Sequence, residues 1–179
     1  MNRLLFQKEK AKATTGIVIN VGCKEDPAAL KSSLGERVIN ADICEIDTDS
    51  GLPINIDVLM DCREPWPFED DYAELVIMAE IIEHLYVQET IDALKEARRV
   101  APKLVLTLPY DFTLPLDYDG PGLWKHSSGA RGHCTGWSEP ILRDVLDKVG
   151  YTVKEWQTMD YGIMGTARLD GFLIYCERR

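Results

Sequence analysis

Apolar runs that break off at an acid or a glycine constrain this chain more than any other feature. Gly16 to Val21 stops at Gly22-Cys23, Val38 to Ala41 at Asp42, Ile56 to Met60 at Asp61, and Ala73 to Ala79 at Glu80. Such runs lack the polar alternation of a half-exposed strand, and they predict strands buried on both faces, the condition of a parallel sheet covered by helices. Ligands of open α/β sheets collect beyond the carboxyl ends of the strands. Carboxylates there are a poor choice for stability alone, because each must be solvated or paired. The acids therefore predict a ligand site.

The first two runs narrow the ligand. A glycine closing a buried strand lets a ligand approach the backbone, and an acid closing the next strand can accept both hydroxyls of a ribose. The turn after Gly22 reads Cys23-Lys24-Glu25-Asp26, which sets two acids where a dinucleotide fold presents bare amides to pyrophosphate. A phosphate is repelled there. A nucleoside carrying a cation is not, and S-adenosylmethionine is one, with adenosine joined to a sulfonium and an amino acid and no phosphate. A nicotinamide-dependent oxidoreductase ranks last for the same reason.

Helices are predicted between the strands. Asp26-Pro27 opens a short one that stops at Leu34-Gly35. Val87, Ile91, Leu94, Ala97 and Ala101 recur at helical spacing as far as Pro102, after which Leu104 to Leu108 reads as a fifth strand closed by Pro109. A later helix starts at Ser138, with Trp137 set to pack on Leu142, turns Ile141, Leu142, Val145, Leu146 and Val149 inward, and stops at Gly150. Tyr151 to Gln157 and Gly171 to Cys176 read as two last strands joined by a connection from Thr158 to Asp170, and Lys8 to Lys12 as a short exposed helix. With 179 residues, 45% of them hydrophobic, the chain is expected to form one domain, residues 1–179.

A net charge of −10 disfavours a broad nucleic-acid footprint. The five cysteines, Cys23, Cys44, Cys62, Cys134 and Cys176, show no C-x-x-C spacing and predict neither a disulfide framework nor a zinc ribbon. With no apolar stretch of membrane-spanning length and no signal-like segment in Met1 to Thr15, a soluble cytoplasmic protein is expected.

Taken in order, Ile17 to Cys23, Asn40-Ala41-Asp42-Ile43, Asp61, Pro65 to Phe68, Glu74-Leu75-Val76, Glu80-Ile81-Ile82-Glu83-His84-Leu85, Glu96 to Val100, Thr107 to Tyr110 and the stretch from Trp137 to Tyr151 resemble the class I S-adenosylmethionine-dependent methyltransferases over nearly the whole chain. The resemblance implies a Rossmann-like three-layer α/β sandwich with a mostly parallel seven-stranded sheet, its antiparallel last strand, Gly171 to Cys176, at an edge. It also implies that Gly22 and Cys23 pass the methionine moiety, that Asp42 with Ile43 binds the ribose, and that Asp61 with Cys62 lies by the adenine. The chain departs from the family pattern at Asn20, Lys24 and Asp26. Asn20 replaces the usual carboxylate for the ligand ammonium and keeps an accepting oxygen, while Glu25 or Glu80 can supply charge.

Methyl transfer asks an enzyme to hold the acceptor in line with the methyl and, for a hydroxyl, to remove its proton. His84 is the candidate base, with Asp111 and Tyr110 after the fifth strand as orienting groups. Glu80, Glu83 and His84, joined by His133 from the long segment between Pro109 and Gly136, also have the residue types of a hard divalent-ion site. That pattern resembles metal-dependent 2′-O-methyltransferases acting on small-RNA 3′ ends. The long segment carries Asp117, Tyr118, Asp119, Trp124, Lys125, His126 and Arg131 and is expected to choose the substrate. Three functions follow: methyl transfer to a small molecule, with oxygen favoured; metal-assisted methylation of RNA ends; and a non-catalytic binding or partner protein whose altered glycine turn holds no cofactor.

Overall fold

The computed structural model of the chain describes residues 2–23, 27–46, 51–110, 134–164 and 167–179. In chain order the elements are α1 (Arg3–Lys12), β1 (Val18–Val21), α2 (Pro27–Leu34), β2 (Val38–Asp42), β3 (Val58–Leu59), β4 (Leu75–Ala79), α3 (Val87–Val100), β5 (Lys103–Tyr110), α4 (Glu139–Val149), β6 (Tyr151–Met164) and β7 (Ala167–Arg178). The seven strands form one sheet in the order β3-β2-β1-β4-β5-β7-β6. Strands β1 to β5 run parallel, and β7 is antiparallel to both of its neighbours.

Strand alternation divides the core into two layers. Ile19, Val21, Val76, Met78, Leu104 and Leu106 face α3 and α4, meeting Leu94, Ala97, Leu142 and Leu146. Val18, Leu75, Ile77 and Val105 face the opposite way, toward Phe6 and Ala11 of α1 and Leu30 of α2. Both faces of β1 and β4 are thus buried, which explains runs that show no polar alternation. The expected α/β three-layer sandwich is present.

Several local expectations need correction. Antiparallel β7 lies one place inside the sheet and β6 takes the edge. Phe172, Leu173, Ile174 and Cys176 are all buried, so this strand needs covering on both faces and both edges. The third run supplies only the two-residue strand β3, whose Leu59 is 58% exposed, so it is a short outer strand and not one buried on both faces. Pro109 does not close β5, because it pairs with Gly171 within the ladder. The connection expected over Thr158 to Asp170 is mostly strand: β6 and β7 pair from Thr158↔Phe172 out to Met164↔Ala167, with a register shift between Asp160 and Gly162. A glycine that reads as a breaker instead accompanies a bulge. Ile141 of α4 is 56% exposed, and Val87 lies on the outer side of α3, where Thr90 and Ala93 turn inward instead.

The amino-terminal helix is the largest difference. It is twice as long as expected, is capped by the Asn2 side chain accepting from the Leu5 amide at 2.8 Å, and buries Phe6, Gln7 and Ala11 against the sheet. Its apolar stripe is one residue wide per turn and sits between lysines, so periodicity alone gives little warning. Helix α4 ends at Gly150, whose φ of 99° lets its amide reach the carbonyls of Leu146 and Asp147.

Candidate functional site

The strand order reverses between β1 and β4. From β1 the chain moves outward through β2 to β3, and from β4 it moves the other way to β5, so a crevice opens beyond Val21 and Ala79. Gly22 and Glu80 directly follow β1 and β4, Asp42 is the last residue of β2, and Asp61 comes two residues after β3, so all four stand at the carboxyl ends of neighbouring parallel strands.

Gly22 has a φ of +68°, and its amide donates to the Ala41 carbonyl at 2.8 Å. A Cβ at Gly22 would stand 1.8 Å from Cδ1 of Ile81. The close approach that glycine permits is therefore taken by a side chain of the protein, where the sequence led us to expect a ligand. Asn20 is buried, and its amide nitrogen donates to Oδ1 of Asn40 at 3.1 Å across the β1–β2 pair. Asn40 in turn donates its side-chain amide to the Asn55 carbonyl and its backbone amide to Oδ2 of Asp57.

Asp42 is 7% exposed, and one of its oxygens accepts the Cys44 amide at 3.2 Å. Ile43 follows it, half-buried. The Met60 amide bonds to the Asp42 carbonyl, so the ends of β2 and β3 stay in step. Asp61 is gripped by Arg63, whose Nε donates to both carboxylate oxygens at 2.8 and 2.9 Å and whose backbone amide adds a bond of 3.0 Å. Sequence reasoning passed over Arg63, although the Asp-x-Arg spacing is the available signal. Hydrogen bonding to Asp61 raises the Arg63 pKa, so this guanidinium is a fixed charge. Burial, with Asp42 adding to it, pushes the Cys23 thiol up to about 12, and burial with Asp61 does the same for Cys62. Both thiols are neutral, weakly polar walls rather than nucleophiles.

Glu80 has a φ of 55°, a conformation uncommon for glutamate. Its amide donates to the Thr107 carbonyl at 2.8 Å, and its Oε1 accepts from the Thr107 hydroxyl at 3.1 Å. Arg3 of α1 stands 3.8 Å from the same oxygen, and Gln7 donates to the Thr107 hydroxyl at 3.5 Å. Arg3 and Gln7 also escaped the sequence reading, since nothing in it brings residues 3 and 7 to the end of β4.

A single 3₁₀ turn, Ile82–His84, follows Glu80. His84 is half-buried, with Nε2 3.9 Å from Oε1 of buried Glu83. The Glu83 carbonyl accepts the amides of Cys134 and Thr135 at 2.7 and 3.2 Å. The Thr135 hydroxyl donates to Leu85, and the indole of Trp137 to Ile82. The long segment thus returns against this turn. Lys24, Glu25, Asp26, Asp111, Asp117, Tyr118, Asp119, Trp124, Lys125, His126, Arg131 and His133 lie outside the described residues. Among the described residues no group of three His, Cys, Asp or Glu is arranged to hold a metal ion. The expected set of Glu80, Glu83, His84 and His133 reaches beyond the described residues at His133; within them Glu80 bonds to Thr107 on β5, while Glu83 is buried beside His84. None of the five cysteines forms a disulfide, and no helix among the described residues is long and apolar enough to cross a membrane.

Sheet order, the antiparallel seventh strand and the crevice at the β1–β4 reversal define the class I S-adenosylmethionine-dependent methyltransferase fold. No protein-family model and no curated protein sequence matches the chain. Solved structures do. A methyltransferase of this class from Methanosarcina mazei superposes with a TM-score of 0.64 at 13% identity, over 95% of this chain and 96% of that one. The magnesium protoporphyrin IX methyltransferase from Synechocystis PCC 6803, solved with bound S-adenosylhomocysteine, gives 0.63 at 14% identity over 98% and 80%. A small-RNA methyltransferase gives 0.62 at 15% identity, covering 99% of this chain and 25% of that protein. Acceptors as different as a porphyrin and an RNA on one architecture leave the acceptor to the individual site.

Proposed function

We propose that the chain is an S-adenosylmethionine-dependent methyltransferase acting on a small-molecule acceptor, with oxygen as the favoured atom. The observation that carries this reading is the strand order, which sets Asp61, Asp42, Gly22 and Glu80 at the carboxyl ends of the neighbouring parallel strands β3, β2, β1 and β4. The donor set suits the cofactor: the Asp42 carboxylate can accept two ribose hydroxyls, and Glu80 can accept an ammonium. Asp61, held in place by Arg63, and the neutral Cys62 thiol offer a polar edge and an apolar wall to an adenine. The sequence Lys24-Glu25-Asp26 sets two acids where a dinucleotide-binding turn offers bare amides to phosphate.

When bound, the cofactor supplies a methyl group activated by a positively charged sulfur. This chain's residues then have two tasks, to align the acceptor and to take its proton. With a hydroxyl as the acceptor, His84 would take the hydroxyl proton, and buried Glu83 beside it would favour the imidazolium that results. Asp111 and Tyr110 remain proposed orienting groups, and Asn20, Ile43 and Cys23 proposed wall residues of the cofactor site. An RNA end is disfavoured by the charge of −10, and a soluble cytoplasmic enzyme is the setting this reading expects. The non-catalytic alternative draws on one observation, the Ile81 side chain seated on Gly22.

Calorimetric titration with S-adenosylhomocysteine separates the two. Saturable binding supports the enzyme, and absence of binding leaves the non-catalytic protein. Once an acceptor is in hand, His84→Ala should lower turnover by roughly 10²- to 10⁴-fold with little change in S-adenosylhomocysteine affinity. Equal turnover would remove His84 from the mechanism.

A further inference from the structure

We infer that Thr135 is a positioning residue for His84, its amide and hydroxyl holding the turn that carries the imidazole; the inference rests on reading His84 as the base of the proposed methyltransferase. Thr135 acts through the backbone of Glu83 and Leu85, the residues on either side of His84.

The turn cannot set its own side chains. Ile82–His84 is one 3₁₀ turn, held from within by the His84 amide on the Ile81 carbonyl at 3.0 Å and the Leu85 amide on the Ile82 carbonyl at 3.4 Å. Fixing several dihedrals for so few bonds is unfavourable in isolation, and 3₁₀ hydrogen-bond geometry is poor. The order of the turn therefore comes from its neighbours. On one side, Thr90 of α3, fully buried, donates its hydroxyl to the Ile82 carbonyl at 3.4 Å. On the other side runs the stretch from Cys134 to Trp137.

The bonds from that stretch end on main-chain carbonyls. The Glu83 carbonyl accepts the amides of Cys134 and Thr135 at 2.7 and 3.2 Å. Since the His84 amide, in the same peptide plane, bonds to Ile81, the plane that enters His84 is held at both ends. Beyond His84, the Thr135 hydroxyl donates to the Leu85 carbonyl at 2.7 Å. Thr135 thus grips the chain before His84 with its amide and after it with its hydroxyl. What is left to the imidazole is its own side-chain torsions, and these set Nε2 3.9 Å from Oε1 of Glu83.

Seating the stretch does not require the hydroxyl. Trp137 is buried in the same core cluster as Leu142 and Leu146 and donates its indole to the Ile82 carbonyl at 3.2 Å. A buried tryptophan supplies ample apolar contact for that task. The half-buried Thr135 adds a bond aimed one residue past the base, where small displacements decide whether a group reacts.

An NMR spectrum of the full-length protein, labelled in its histidine rings, reads the placement of His84. The chain has three histidines, and the His84 signals are those lost in His84→Ala. Thr135→Val keeps the side-chain shape without the hydroxyl and should shift or broaden these signals, while Thr135→Ser should restore them. Thr135→Ala makes the same deletion if the valine variant does not fold. Thr14→Val is the matched control, because it removes a hydroxyl that donates to the Ala11 carbonyl at 2.8 Å ahead of β1, at the opposite end of the sheet, and it should leave His84 unmoved. Unmoved signals in Thr135→Val, equal movement in Thr14→Val, or no restoration by serine would overturn the inference. In turnover of a hydroxyl acceptor, Thr135→Val should lower kcat by roughly 3- to 10-fold, the effect of one lost hydrogen bond, at unchanged KM and unchanged S-adenosylhomocysteine affinity. A change in KM alone would overturn the positioning role as well. Normal turnover in His84→Ala would instead remove the base itself, a separate failure of the underlying reading.

Discussion

Two acids bracket β4, and both have a φ of 55°: Asp71 shortly before the strand and Glu80 directly after it. Asp71 sits in an exposed turn, donates its amide to the Arg99 carbonyl and pairs with Arg178 at 2.6 Å. Aspartate adopts this conformation with some frequency, so the turn is ordinary. Glu80 is only 15% exposed at its side chain, belongs to a residue type that avoids the conformation, and faces the crevice. Residues of one chemical class therefore serve the fold at one end of the strand and, in the proposed function, a ligand at the other. The rest of each end agrees. Near Asp71, the Glu74 carboxylate accepts the amides of Thr15 and Gly16 at 2.9 and 2.7 Å and pairs with Lys103, tying β1, β4 and β5 together. At the crevice end, Asp42 closes β2 and Glu80 follows β4, the strands on either side of β1 with its Gly22.

The sharpest perturbation is at Gly22. An alanine there meets both a φ of +68° and Ile81 Cδ1 at 1.8 Å, and the two effects together should destabilise the protein by about 2–5 kcal/mol, read from urea midpoints. Ile81→Ala in the same chain should recover the overlap part and leave the backbone part. Asp42→Ala should weaken S-adenosylhomocysteine by about 1–3 kcal/mol through lost hydrogen bonds to the sugar, measured by calorimetry; unchanged affinity would take the ribose away from Asp42. Glu80→Gly should be more stable than Glu80→Ala by about 1 kcal/mol, the left-handed backbone penalty, while both lose ligand affinity. Asp71→Gly, the matched control, should leave that affinity alone.

The Glu74 end makes a pH prediction. Its hydrogen bond from Lys103, followed by that from the Gly16 amide, holds the Glu74 pKa at about 2 against an ordinary 4.5. A depressed carboxylate stabilises the fold above its unfolded value and stops doing so as pH falls through its folded value. Stability from Glu74 should therefore be complete above about pH 4.5 and fade toward about pH 2. Glu74→Gln should narrow the gap between urea midpoints at neutral and acid pH without altering S-adenosylhomocysteine binding at neutral pH. A ligand-affinity change would blur the division between the two ends.

How far the sequence carries depends on what each feature needs. The central strands were legible because Leu75 to Ala79 and Val18 to Val21 are buried on both faces, so composition alone marks them. Asp42 and Glu80 were legible because strand ends follow from strand runs. Helix α1 was half legible, since Phe6 and Ala11 make a narrow stripe among lysines whose burial depends on Leu30, Val105 and Leu173, far along the chain. Ile81 over Gly22 could not be read, because side-chain direction after a strand depends on the positive φ of Glu80. Arg3 beside Glu80 depends in turn on α1 packing and was equally hidden.

A crystal structure grown with S-adenosylhomocysteine tests the central claim most directly. The account predicts the ribose hydroxyls on Asp42, the adenine beside Asp61 and Cys62, and the sulfur facing the turn of His84. A ligand bound elsewhere, or a crevice that stays filled by Ile81 at saturating ligand, would contradict it.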